Sequence, residues 1–261
     1  MKKTILFISF ILFVVQVSAQ QRNRHKKSFG RTHFEGGLTV SSDGSNHMIS
    51  PSGVQYWGVG KKKQKFKFGI GARYTASIGD QSLEYITARA QLTSGQTGPG
   101  VFFSDQIPEN IDTMSLNNTR IHLINVLLAL RYDIDRRFGL EFNIDLAGLS
   151  FGARKTATLT YDDGKTHTSS AYPTTGNLLL VSDNDLGSLN SEFMISYLHK
   201  NRMRFKIGPV FMFNEYELVS PVNYVNDAGT FVDAKRYRNK SLQLGVGFNY
   251  VFKYYRSKQN N

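Results

Sequence analysis

The 261-residue chain has no cysteine, which excludes disulfides, thiolate metal sites and an amino-terminal lipoprotein anchor. After its first segment, no stretch approaches the ~18 apolar residues of a transmembrane helix. Acids are scarce: 20 Asp and Glu face 32 Lys and Arg, for a formal charge of +12. The histidines (His25, His33, His47, His122, His167 and His199) lack His-x-x-x-His or related ligand spacing. Gly69-Ile70-Gly71 and Gly245-Val246-Gly247 sit inside strand-like runs, where no strand-to-helix phosphate cradle forms. Asp183-Asn184-Asp185 lacks the glycine and distal glutamate of an EF-hand loop and reads as a solvated turn. Nothing in the spacing joins His122 to a serine and an acid, because triads are recognised by geometry. The chain therefore reads as a non-enzyme with no catalytic set, no metal site and no cofactor.

What is present starts with Met1-Lys2-Lys3, an apolar run from Ile5 to Val15, and Val17-Ser18-Ala19. A basic start, a short apolar core and small residues at −3 and −1 predict a signal peptide over 1–19, cut after Ala19. The run is too short to span about 30 Å of hydrocarbon. Losing Lys2 and Lys3 would lower the charge from +12 to +10. High pI can mark nucleic-acid binding, but an exported protein rarely meets nucleic acid. The bases gather in a tail over 20–32 (Arg22 to Lys27), in short turns, and in the polar ending 256–261.

Between the tails, over 33–255, apolar and polar residues alternate with period two. The clearest run is Lys65 to Ile78, with Phe66, Phe68, Ile70, Tyr74 and Ile78 against Lys65, Lys67, Arg73 and small residues. Similar strands run through Phe138–Leu146, Met203–Phe213, Leu242–Tyr254, Ile124–Tyr132 and Leu189–Tyr197. Two weaker ones cover Phe34–Val40 and Gly53–Gly60, for a total of eight. Lys61-Lys62-Lys63-Gln64, Asp133 to Arg137 and Lys200-Asn201-Arg202 close neighbouring strands at one end. Longer loops are expected at the other end, roughly 42–52, 79–119, 152–187 and 217–239. Glu84 to Leu92 alternates again and is expected as a strand extension or hairpin above the membrane, or raises the count to ten. Asp162-Asp163-Gly164-Lys165 is a hairpin tip.

Volume decides which face looks outward. An eight-stranded barrel has room only for side chains. The apolar face, with Phe, Tyr, Leu or Ile at nearly every position, would overfill it. The polar face mixes charges with Gly69, Gly71, Gly208, Gly245 and Gly247, as a crowded interior requires. The apolar face is thus predicted to meet lipid, with Phe66, Tyr132, Phe138, Tyr197, Phe205, Phe252 and Tyr254 as an aromatic girdle. A soluble lipocalin-like barrel is the rival architecture.

On these features the chain resembles the small eight-stranded outer-membrane barrels of the OmpA and OmpX kind. Gln243, Gly245, Phe248 and Tyr250 are similar to the signal that barrel-assembly machinery reads in such proteins. The polar tail after Tyr255 departs from the family's terminal aromatic residue. The resemblance implies an all-β, antiparallel, up-and-down transmembrane barrel in the outer membrane of a Gram-negative bacterium. Short turns would face the periplasm and long loops the exterior.

Inward residues Lys65, Lys67, Arg73, Arg131, Arg204 and Lys206 stand against Glu141, Asp145 and Glu192. Buried charges must pair, so these predict an ion-pair network that plugs the lumen. Their excess of bases keeps a narrow, anion-preferring pore as the sharper reading. Function is expected to be structural or loop-mediated binding, with a protein or small molecule as ligand at the outer loops, as at Val101-Phe102-Phe103. A part in a secretion or assembly machine is the runner-up, and a lipid-modifying enzyme comes last. Outer-membrane lipids and the barrel-assembly machinery are the expected partners, and nucleic acid is not.

Overall fold

The computed structural model describes residues 30–60, 65–79, 82–88, 90–95, 105, 107–160, 166–180, 185–200, 202–225 and 231–255. The signal peptide, most of the basic tail, the Lys61–Gln64 turn, the Asp162–Lys165 tip, Val101–Phe103 and the polar ending lie outside them. The described strands are β1 (Gly30–Ser42), β2 (Asn46–Val59), β3 (Phe66–Gly79), β4 (Leu83–Thr87), β5 (Thr113–Leu116), β6 (Arg120–Asp133) and β7 (Phe138–Phe151). Then come β8 (Lys155–Thr160), β9 (Thr166–Pro173), β10 (Gly176–Leu178), β11 (Leu189–His199), β12 (Met203–Val225) and β13 (Phe231–Tyr255).

All pairings are antiparallel and join the strands into one 13-stranded sheet that closes on itself. The expected total of eight strands, or ten, is therefore corrected to 13 among the described residues. The extra strands arise where loops were expected. One closed circuit runs β1–β2–β3–β6–β7–β11–β12–β13 and back to β1. A second runs β12–β9–β8–β5–β4–β13 and returns through the upper half of the β12–β13 pairing. The two circuits share β12 and β13, which are 23 and 25 residues long.

Corrections follow for the loops. The first is a tight turn of Asp43, Gly44 and Ser45, not 42–52, because Asp43 Oδ1 accepts the backbone N–H of Ser45 (2.9 Å) and Asn46 (2.6 Å). Gly44 sits at φ +94°, a region that glycine enters without steric cost. Within 79–119, Leu83–Thr87 is strand but Ala90–Thr93 is a single helical turn. Much of 152–187 and 217–239 is paired strand, so the far end is a folded cap and not a set of open loops.

Alternation sends residues i, i+2 and i+4 to one face of each strand. In the eight-membered circuit the inward residues near the short turns are charged. Farther along, Met48, Ile121, Leu123, Met194, Val210 and Met212 face inward and are buried. They merge with Leu83, Tyr85, Met114, Leu116, Leu159, Tyr216 and Tyr237 of the second circuit into one apolar core. Interior glycines mark close approaches: a Cβ at Gly208 would lie 2.1 Å from the Phe193 carbonyl oxygen. Gly208→Ala is therefore expected to cost about 1–3 kcal/mol by overpacking. A lowered urea midpoint in detergent checks this, and an unchanged one would place the methyl in open space.

Candidate functional site

The charged lumen gathers most of the ionisable residues that the alternation turned inward. Nearest the short turns, Arg131 is fully buried. Its Nη1 and Nη2 donate to the two Glu35 carboxylate oxygens at 2.7 and 2.6 Å, and its Nε lies 3.0 Å from Glu141 Oε1. The guanidinium sits 4.1 Å over the Tyr56 ring, on which His33 also stacks. His33 Nε2 is 3.0 Å from Glu35 Oε1, and Asn249 Nδ2 donates to Glu35 Oε2 at 3.1 Å. Arg204 Nε lies 3.5 Å from both Glu35 and Glu141. At the rim, Lys67 Nζ donates to Asp133 Oδ2 at 2.6 Å.

One level farther in, Arg73 bridges two acids. Its Nη2 donates to Asp145 Oδ1 (2.6 Å) and its Nη1 pairs with Glu192 Oε1 (2.8 Å). The remaining Asp145 oxygen accepts from Asn125 Nδ2 (2.7 Å) and the Asn190 backbone N–H (3.0 Å). Asn143 Nδ2 donates to Glu192 at 3.0 Å, while Lys206 Nζ stays 3.9 Å away.

All eight expected network residues thus lie inside one ring of strands. Lys65 does not join them: it is exposed at the turn, with Nζ donating to the Ile134 carbonyl oxygen at 3.1 Å. The network also contains Glu35, which lies on the polar face of the weak strand Phe34–Val40 and is absent from the expected charge set. Sequence reasoning missed Asp133 by reading it as turn. With both included, Lys67, Arg73, Arg131, Arg204 and Lys206 face Glu35, Asp133, Glu141, Asp145 and Glu192. Among the described side chains five bases meet five acids, so the basic excess expected there is corrected to balance.

A third cluster lies in the cap. Glu215 accepts from Arg238 Nε and Nη2 (3.2 and 2.7 Å), Arg236 Nη1 (3.3 Å) and the Gly187 N–H (3.0 Å). Beside it, burial pushes the Tyr216 phenol up to about 12. Of the Asp183–Asp185 turn only Asp185 is described, and its carboxylate accepts the Leu180 N–H at 2.6 Å.

The outer surface has the opposite character. Leu242, Leu244, Leu149, Ile195 and Ile207 are each more than half exposed, Leu244 reaching 66%. Exposed Phe66, Tyr132, Phe138, Phe205 and Phe252 mark the short-turn end, with Tyr197 half-buried beside Phe138. The Tyr254 side chain lies outside the description. His122 is on this outward face, 2.7 Å from the Tyr74 hydroxyl and stacked on Phe151. On β13, Gln243 is buried beside Ser41 and Gly245 faces Val210. Phe248 packs on Phe205, and Tyr250 on Phe252.

No family model matches the chain, and no curated protein matches it in sequence. Among solved structures, Neisserial surface protein A is similar at TM-score 0.33 and 10% identity, covering 87% of this chain and 100% of that one. The toluene transporter TodX of Pseudomonas putida is similar at 0.23 and 10%, covering 86% and 90%. A Pseudomonas aeruginosa FadL homologue is similar at 0.25 and 11%, covering 85% and 76%. At such scores these likenesses transfer neither activity nor ligand to this chain.

Proposed function

We propose that the chain is an integral outer-membrane β-barrel protein with a closed lumen, serving a structural role or binding through its outer cap. The observation that carries this reading is the inverted polarity of the sheet. Arg131, Glu141 and Asp145 are fully buried, whereas Leu244, Phe252 and Leu242 are at least 60% exposed. A soluble barrel would leave that apolar belt in water, where contiguous exposed patches are rare. Lipid removes the cost, and aromatic rings at the belt's edge suit its interface. A barrel crossing takes about 9–11 residues per strand. Strands β12 and β13 are twice that length, so their upper halves carry the cap beyond the bilayer.

A plugged barrel follows from paired charges below and a packed apolar core above. The purified protein, folded in detergent, is expected to migrate differently on gels before and after boiling. Identical mobility would remove the barrel reading. In planar bilayers it is expected to be silent across salt gradients, and steady unitary currents would overturn the closed lumen. Export by the 1–19 signal is part of the proposal. Recovery of the chain from the cytoplasm of the producing cell would refute it.

A further inference from the structure

We propose that the short-turn end of this barrel is a binding ring for anionic phospholipid headgroups, built from Lys65, Arg136, Arg137, Lys200 and Arg202. The inference rests on the membrane-barrel reading above. Its first observation is where the charge lies. The chain segments 22–31, 61–65, 135–137, 200–202 and 253–258 lead into, join or leave the strands at this end. They hold 16 of the 32 Lys and Arg but one of the 20 acids, Asp135. Among the described residues the lumen's ion pairs balance, so the sequence's excess of bases falls in these segments.

The second observation is how the described bases are set. All five are exposed. Each stands within three residues of an aromatic ring on the outward face: Lys65 precedes Phe66, Arg136 and Arg137 precede Phe138, Lys200 follows Tyr197, and Arg202 precedes Phe205. Lys65 Nζ lies 5.8 Å from the centre of the Tyr132 ring, and Arg202 Nη1 donates to the Tyr250 hydroxyl at 3.3 Å. Along each strand the order is therefore aliphatic belt, aromatic ring, cation. That is the order of acyl chain, interface and phosphate in a phospholipid leaflet.

Local acid does not neutralise the ring. Asp133 is taken by Lys67, and Asp135 Oδ1 accepts the backbone N–H of Arg137 (2.6 Å) and Phe138 (2.7 Å) to close its turn. Those two N–H groups, Phe138 first, hold the Asp135 carboxyl below its usual range. The other turn adds a further sign. Lys200 sits at φ +47°, where glycine or asparagine is the low-strain choice. A base occupies that position although the turn alone favours another residue.

The test uses the full exported chain folded into vesicles of phosphatidylcholine, and of phosphatidylcholine mixed with phosphatidylglycerol. Heat-modifiable mobility reports folding, and urea titration reports stability. Folding is expected in both vesicles, with the anionic mixture raising the folding equilibrium constant by about fivefold per engaged base. Added salt should erase that gain. A variant with Arg136, Arg137 and Arg202 changed to Gln should fold yet lose most of it, whereas the same three changed to Lys should keep it. Lys200→Gly separates charge from turn geometry: it should stabilise the protein in phosphatidylcholine while shrinking the anionic gain. Equal stability in both vesicles, or a gain unchanged in the Gln variant, overturns the ring and leaves the barrel standing. A salt-sensitive gain from soluble dextran sulfate in phosphatidylcholine vesicles, absent with phosphatidylglycerol, also overturns it, since the occupant would then be a polymer. Absence of heat-modifiable mobility in every vesicle removes both readings together.

Discussion

Replacing Arg131 with leucine is expected to destabilise the folded protein by about 3–5 kcal/mol, the cost of leaving buried charge without its partner. Arg131 joins Glu35 and Glu141, all three fully buried; without it Arg204 lies 3.5 Å from each carboxylate and Glu35 keeps His33 and Asn249. The cation–π contact with Tyr56 would go as well. The pair itself need not be strongly stabilising, because both partners lose their hydration on folding. A quadruple variant with Glu35, Arg131, Glu141 and Arg204 all changed to leucine, which strands none of these four charges, should therefore recover much of the loss. Urea unfolding in detergent, followed by gel mobility, measures both. A single-variant loss under about 1 kcal/mol would show that water reaches the cluster.

Val246→Arg should cost about 2–4 kcal/mol if the outward face of β13 lies in hydrocarbon near the bilayer midplane. Val246 pairs with Ile207 and Val40, all three outward and exposed. It lies six residues from Phe252 at the aromatic edge. The comparison is Val219→Arg, at an equally exposed valine on the part of β12 assigned to the cap. That change should stay within about 0.5 kcal/mol, as surface substitutions usually do. Stability in lipid vesicles is the measurement. Equal, small effects at both sites would return the argument to a soluble barrel.

Much of the sheet was legible because period two is imposed locally, wherever one face of a strand is buried. Lys65–Ile78 and Phe138–Leu146 could be read residue by residue for this reason, inside the strands Phe66–Gly79 and Phe138–Phe151. The cap could not. Strand β4 is five residues and β5 four, and each exists through its pairing with β13, β8 or the other. Glu215, Arg236 and Arg238 look like loop charges in sequence, because no local pattern shows that they will meet one another inside the cap. The 42–52 stretch was expected as a loop because the glycines of β2 hide where its strand begins. Glu35 lies on a short, weakly alternating run, which gives its face but no sign of the guanidinium it meets. The ion-pair residues could be assigned to a face, yet their partners could not, since a bridge such as Arg73 to Asp145 depends on how far each strand is sheared against the next.

The strands shared by the two circuits also set an order of assembly. Val225 meets Phe231 across a short connection, and the same hairpin then zips down to Met203 and Tyr250. Thr32 reaches Tyr255 only after nearly the whole chain has been laid between them. Loop-closure entropy favours the near pairing first and the far one last. Hairpins such as β1–β2, β11–β12 and β12–β13 are thus expected to pair before the β1–β13 seam closes the barrel circuit.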